Sequence, residues 1–156
     1  KMKYPKIGYI DDGTPNACCY GRGKNSARII ITRGIFDLLS EEEVKAVVGH
    51  ELGHAVHYDM LFMTVVALIP QLFYMIYSIC TDTSSSNSKD SNSNTALIGV
   101  IAFVIYIITQ YIMLWLSRVR EYYADEFSVQ VTKNPNSLAN ALVKVGFGLV
   151  TKSDNL

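Results

Sequence analysis

Two uncharged apolar runs constrain this chain more than any other feature. Met60–Cys80 is apolar at 17 of 21 positions and Ala96–Ser117 at 18 of 22. About 20 helical residues at 1.5 Å each reach the ~30 Å of a bilayer core. The 98 flanking residues are too few to build a globule around two such helices. The runs therefore read as two membrane spans, 60–80 and 96–117, and Pro70 is tolerable inside a membrane helix. The spacer Thr81–Thr95 contains no apolar residue and is rich in Ser and Asn. It reads as a solvated loop outside the membrane.

Outside the runs about 37% of residues are apolar, ordinary for folded protein and too many for a disordered chain. Lys+Arg and Asp+Glu are both 14, so the formal charge is zero. Nucleic-acid binding would want a basic stripe, and no nucleic-acid partner is expected. The charge distribution gives a topology. The spacer holds one basic residue, Lys89, against eight in 1–59 and five in 118–156. By the positive-inside bias both flanks lie in the cytosol, with Arg118 and Arg120 at the boundary. The spans then form a hairpin inserted between two parts on one side of the membrane.

Cys18, Cys19 and Cys80 are an odd set with two adjacent members, so they read as reduced and structural, in keeping with a cytosol-facing protein. Without a C-x-x-C, a thiolate zinc site is not expected. The chain starts with Lys and shows no signal-peptide pattern, and it reads as a piece cut from a longer protein.

The first part, 1–59, opens with strand-like pieces at Ile7–Ile10, Ala17–Tyr20 and Arg28–Thr32, separated by Asp11–Pro15 and by Gly21-Arg22-Gly23 as turns. The glycines carry no phosphate-loop pattern. Ser40-Glu41-Glu42-Glu43 then forms a capping box, and the acidic residues suit the positive end of a helix dipole. A helix over about 41–58 follows, with Val44, Val47 and Val48 as its buried stripe. In 118–156, Asn134–Ser137 ends one helix and starts another. Leu138, Leu142, Val145 and Leu149 make an amphipathic stripe that should pack on the helix carrying the site.

That helix carries His50-Glu51-Leu52-Gly53-His54, an H-E-x-x-H pattern. Positions four apart in a helix lie about 40° apart, so both imidazoles converge on one side and can share a Zn²⁺. Glu51 lies about 100° round. It can accept a proton from water and pass it to a leaving amine without ligating. The helical setting, with the small residues Gly49 and Gly53 nearby, adds weight to the metal reading. Against this stands the reading of two surface histidines.

Catalytic zinc usually takes a third protein ligand. His57 shares the face, but one straight helix cannot easily wrap three side chains round a tetrahedral centre, so His57 lines the site or points to the membrane edge. The H-E-x-x-H-x-x-G-x-x-H pattern is excluded, since position 57 is His and position 60 is Met. Glu121 and Asp125, one turn apart after the second run, are the remaining candidates. Glu121 can ligate and Asp125 can bond the far nitrogen of a ligating histidine. A pair of solvated acidic residues is the alternative.

HELGH followed by Asp59, an apolar hairpin and SRVREYYAD resembles the HtpX-type membrane zinc metallopeptidases. These are Glu-liganded zincins and relatives of the CAAX prenyl endopeptidases. Pro15-Asn16-Ala17 through Gly34 and the stretch SEEEVKAVVGHELGH are similar to the same catalytic core. The resemblance implies an α+β, zincin-like core, a small antiparallel or mixed sheet plus active-site helices, with the two-helix hairpin inserted. It implies one zinc ion per chain held by His50, His54 and Glu121, Glu51 as catalytic acid/base, and Asp125 behind a ligand. It also implies that the strand Asn16–Tyr20, with Asn16, Ala17 and Cys18, pairs with an extended peptide substrate.

By the same resemblance the protein lies in the inner or plasma membrane and cleaves damaged or misassembled membrane proteins. A protease of prenylated C-termini and a silent membrane scaffold are the alternatives, the latter disfavoured by the intact Glu51. A second oxyanion stabiliser stays unassigned among Tyr122, Tyr123, His57 and Arg120. Family members usually carry two more spans before this region and more chain after it. The sequence leaves the oligomeric state open.

Overall fold

The computed structural model describes residues 4–85 and 93–153. The fold is α+β. Three strands, β1 (Lys6–Ile10), β2 (Ala17–Tyr20) and β3 (Arg28–Thr32), form a mixed sheet in the order β1-β3-β2. β1 runs parallel to β3 and β2 antiparallel to it. The β-branched run Ile29-Ile30-Ile31 suits the central strand, where both ladders are filled. Among the described residues β2 is an edge strand, with β3 on one side only.

Helices follow: α1 (Arg33–Leu38), α2 (Glu41–Val56), α3 (Asp59–Val66), α4 (Leu68–Ser85), α5 (Ser93–Thr132) and α6 (Pro135–Ser153). The chain falls into two compact units, 1–61 with 119–156, and 62–118.

In the first unit α2 begins with the full capping box, Ser40 and Glu43 serving each other's backbone. Glu43 is buried, and its carboxylate also accepts from Lys144 Nζ at 2.8 Å, tying the start of α2 to α6. Both partners hold the Glu43 carboxyl below the usual glutamate range, Lys144 more than Ser40. Ile29, Ile31, Ile35, Leu39 and Ala141 form the core, with Val44, Val47, Val48, Leu52 and Val145 packed against it. α6 starts on Pro135, whose missing N–H costs nothing at a helix start. The amphipathic stripe is corrected in one place. Leu142 stays 53% exposed and the buried position is Ala141, because α2 and α6 come close enough to prefer a methyl group there. Leu149 lies outside the described side chains.

The second unit holds the apolar runs. The first forms one helical span, Asp59–Asp82, with a local irregularity inside it. The chain turns at Ala67, between α3 and α4. Pro70 is the cause, since it has no N–H to give Val66 and its ring crowds that carbonyl. The polar loop expected over 81–95 also narrows. α4 continues to Ser85 and α5 begins at Ser93, because no Gly or Pro stops either helix where the apolar residues end. The rest of that loop, 86–92, lies outside the described residues. α4 and α5 meet through rings, Tyr74 with Tyr106 at 5.5 Å and Tyr77 with Phe103 at 5.0 Å. Gly99 meets Cys80. Numbers rise along one helix as they fall along the other, so the two are antiparallel. α5 does not break at the end of its apolar run but continues as one helix to Thr132.

Candidate active site

The site is built where α2 crosses the last turns of α5. Gly49 and Gly53, one turn apart, face Ser128 and Ala124. A Cβ on Gly53 would fall 2.9 Å from the Ala124 Cα, and one on Gly49 would fall 3.3 Å from the Ser128 Cα. Ser128 and Ala124 are themselves fully buried, and Ser128 Oγ donates to the Ala46 carbonyl at 2.6 Å. Small residues on both helices thus bring the backbones close, and this sets Glu121 beside the histidines.

His50 Nε2 and His54 Nε2 stand 3.2 Å apart. Glu121 Oε2 is 3.5 Å from the first and 3.7 Å from the second. Each histidine spends its other nitrogen on a carboxylate: His50 Nδ1 donates to Asp125 at 2.8 Å and His54 Nδ1 to Asp59 at 2.7 Å. An ionised carboxylate only accepts, so each Nδ1 is the donor of its pair, and the two Nε2 atoms face each other and Glu121. Donors around a tetrahedral zinc, with bonds of about 2.0–2.1 Å, stand about 3.3 Å apart. The spacing and the donor set fit such an ion, and His50, His54 and Glu121 could hold it together.

Glu51 is half-buried and lies close enough to the edge strand for the Cys19 backbone to act on its carboxyl. Burial pushes its carboxyl above the ordinary glutamate range; His50, His54 and the Cys19 backbone pull it back, and Glu121 adds to the rise. Burial, with Glu51 nearby, also pushes the Cys19 thiol up to about 11, so it stays neutral at pH 7. Cys18 is exposed on β2, which corrects its reading as a structural cysteine. The described cysteines are all free.

A cleft of about 300 Å³ opens beside Glu51 and His50. Asn16 and Ala17 line one side, Val47, Leu138, Leu142 and Val145 the other. Its strand side is fixed by one buried hydroxyl. Thr32 Oγ1 has one proton to share between the carbonyls of Thr14 (2.6 Å) and Asn16 (2.9 Å), and accepts from Asn16 N–H (2.8 Å). Gly34 lets this loop come close, for a Cβ there would fall 2.4 Å from the Gly13 carbonyl.

The structure therefore gathers His50, Glu51, His54, Glu121 and Asp125 in one place, with Asn16 and Ala17 at the neighbouring cleft. Of the residues considered for an oxyanion, Arg120 is engaged by Asp59, its Nε 3.2 Å from Oδ2. The His57 ring packs on Tyr123 at 5.8 Å. In the sequence Asp59 is legible only as part of the motif, with no role at the site, because an Asp five positions after a histidine faces away from it in a continuing helix.

Two imidazoles one turn apart, a carboxylate from a second helix and an unligated glutamate beside them define the class of metal-dependent hydrolase sites. The profile of peptidase family M48 matches residues 1–151. The chain is 43% identical over 141 residues to a "Protease HtpX homolog" of Methanothermobacter thermautotrophicus, covering 90% of this chain and 52% of that protein. It is 34% identical to the protein of the same name from Campylobacter concisus (92% and 51% covered) and 32% to that of Lactobacillus helveticus (93% and 53%). This chain belongs to peptidase family M48. It spans about half the length of the curated relatives it matches. No solved structure matches it.

Proposed function

We propose that this chain is the catalytic part of a membrane-embedded zinc endopeptidase. The observation that carries the reading is the convergence of three ligand atoms, His50 Nε2 and His54 Nε2 at 3.2 Å with Glu121 Oε2 within 3.7 Å of both. His50, His54 and Glu121 are the proposed ligands of one zinc ion, with Asp125 holding His50. Residues 1–59 and 118–156 form the catalytic part and 60–117 the membrane hairpin. In support, two helices among the described residues are long and apolar enough to cross a membrane, with 6% and 11% of their most apolar windows buried. The basic residues in both flanks favour an active site on the cytoplasmic side of the inner or plasma membrane.

A bound zinc supplies Lewis acidity, polarising a carbonyl and lowering the pKa of water. The protein does the rest. An extended peptide adds to the open edge of β2, its backbone along Asn16, Ala17 and Cys18. One apolar side chain enters the cleft between Val47, Leu142 and Val145. Glu51 takes a proton from the attacking water on its carboxylate and returns it to the leaving amine nitrogen. Glu51 lines the cleft beside His50, which sets its carboxylate within reach of a bound peptide. Misassembled membrane proteins, with extended exposed segments, are the proposed substrates.

The test uses the full protein in detergent. Stoichiometric zinc and chelator-sensitive cleavage of casein are expected. Glu51→Gln should keep zinc and lower turnover about 10²- to 10⁴-fold. Glu121→Ala should weaken zinc binding, and unchanged affinity would remove it as a ligand. Cleavage of a prenylated peptide with casein untouched would redirect the substrate assignment.

A further inference from the structure

Asp59 has no task in the mechanism above, yet the fold goes to some length to place it. An uninterrupted helix would carry position 59 about 140° round from His54. The chain instead ends α2 at Val56 and turns through Tyr58, whose φ of 59° is left-handed. A bulky residue rarely adopts that backbone and persists there only where its surroundings hold it. Here the ring lies over Gly23. A Cβ on Gly23 would fall 2.3 Å from two Tyr58 ring carbons, so the missing side chain makes the seat.

The turn brings Asp59 back onto His54 Nδ1 at 2.7 Å, with the residue only 4% exposed. The same oxygen, Oδ2, lies 3.2 Å from Arg120 Nε. That Nε is buried and makes no aligned hydrogen bond, so its interaction with Asp59 is one of charge. The other carboxylate of the site differs, for the Asp125 side chain is 41% exposed against 6% for Asp59.

We propose that Asp59 is a positioning residue for His54: its sealed carboxylate keeps the ring proton on Nδ1 and leaves Nε2 free to ligate, and the Tyr58 turn and Arg120 hold it there. This rests on the zinc reading of the site. A hydrogen-bonded carboxylate fixes both the tautomer and the plane of an imidazole and raises its basicity. Asp59 is built into the turn that ends the ligand helix, so His54 is oriented by its own end of the chain and His50 by α5.

Zinc affinity of the full protein, measured by chelator competition, tests the proposal together with the visible absorption of the cobalt-loaded form. Asp59→Ala should weaken zinc 10- to 100-fold and shift the cobalt bands. Asp59→Asn, whose amide oxygen still accepts from Nδ1, should lose less than about tenfold. Nitrogen NMR of the zinc-loaded wild type needs no variant and should show the His54 proton on Nδ1.

Unchanged affinity and spectrum in Asp59→Ala, in a protein whose zinc is still lost with Glu121→Ala, would overturn the proposal and leave the zinc reading standing. An Asn variant as damaged as Ala would assign Asp59 to Arg120 alone and overturn it too, as would ligation of His54 through Nδ1. A wild type with no zinc site sensitive to Glu121 would sink the reading and the proposal together.

Discussion

The two units use helix contacts in opposite ways. In the first, α2 meets α5 through Gly49, Gly53, Ala124 and Ser128, small residues with polar atoms paired. In the second, α4 meets α5 through Tyr74, Tyr77, Phe103 and Tyr106. Leu, Ile and Val point outward there, with Ile108 52% and Leu114 64% exposed. α5 serves both units with two different surfaces. Close backbone approach fixes which side chains of the two helices stand together, here Glu121 beside His50 and His54. Bulky outward side chains place nothing in that way; they match a surrounding medium, and hydrocarbon is the medium they suit.

Three substitutions sharpen or break that contrast. The largest effect is expected for Ile108→Lys. A lysine at the centre of a span opposes insertion by about 2.5–3.5 kcal/mol, and less protein should reach the membrane fraction. The equally apolar Phe147, 71% exposed on α6 in the first unit, should accept lysine within about 0.5 kcal/mol of wild-type stability. Equal outcomes at the two positions would dissolve the contrast.

Next is Gly53→Ala. Its new methyl meets backbone, which cannot rotate away, so about 1–3 kcal/mol of stability should go, with weaker zinc binding as Glu121 is pushed off. Gly99→Ala meets a side-chain carbon of Cys80 at 3.0 Å and should leave zinc affinity unchanged.

The smallest effect concerns acid. The Glu43 carboxyl is held low in the folded state, so its contribution to stability is present at neutral pH. That contribution is lost as pH falls through the folded value, below the ordinary glutamate range. Glu43→Gln should flatten that part of the stability–pH curve in urea melts between pH 7 and 3. A curve of unchanged shape would mean that the Lys144 pairing does not distinguish the folded state.

What could be read in the sequence was local. The capping box at Ser40, the helix start at Pro135 and the strands Ala17–Tyr20 and Arg28–Thr32 each depend on neighbours within a few residues, and each formed where the pattern put it. His50, Glu51 and His54 were visible as candidates for the same reason. The juxtaposition of Glu121 with them depends on a helix crossing that periodicity does not encode; in the sequence the search for a third ligand and the resemblance of the paired motifs pointed to it. What escaped depends on geometry that periodicity does not encode. Asp59 reaches His54 only because Tyr58 turns left-handed. Ala141 takes the place expected for Leu142 because helix separation, not hydrophobicity, selects it. Pro70 was visible, but the turn it causes lies three residues upstream, at Ala67.

The imidazoles come from α2 and the carboxylate from α5, stretches far apart along the chain. An ion gripped by all three would act as a rivet as well as a reagent, its binding energy adding to that of the folded state. Stripping the metal should then lower the melting temperature and loosen the α2–α5 crossing first, so a demetallated preparation would be a softer protein as well as an idle one.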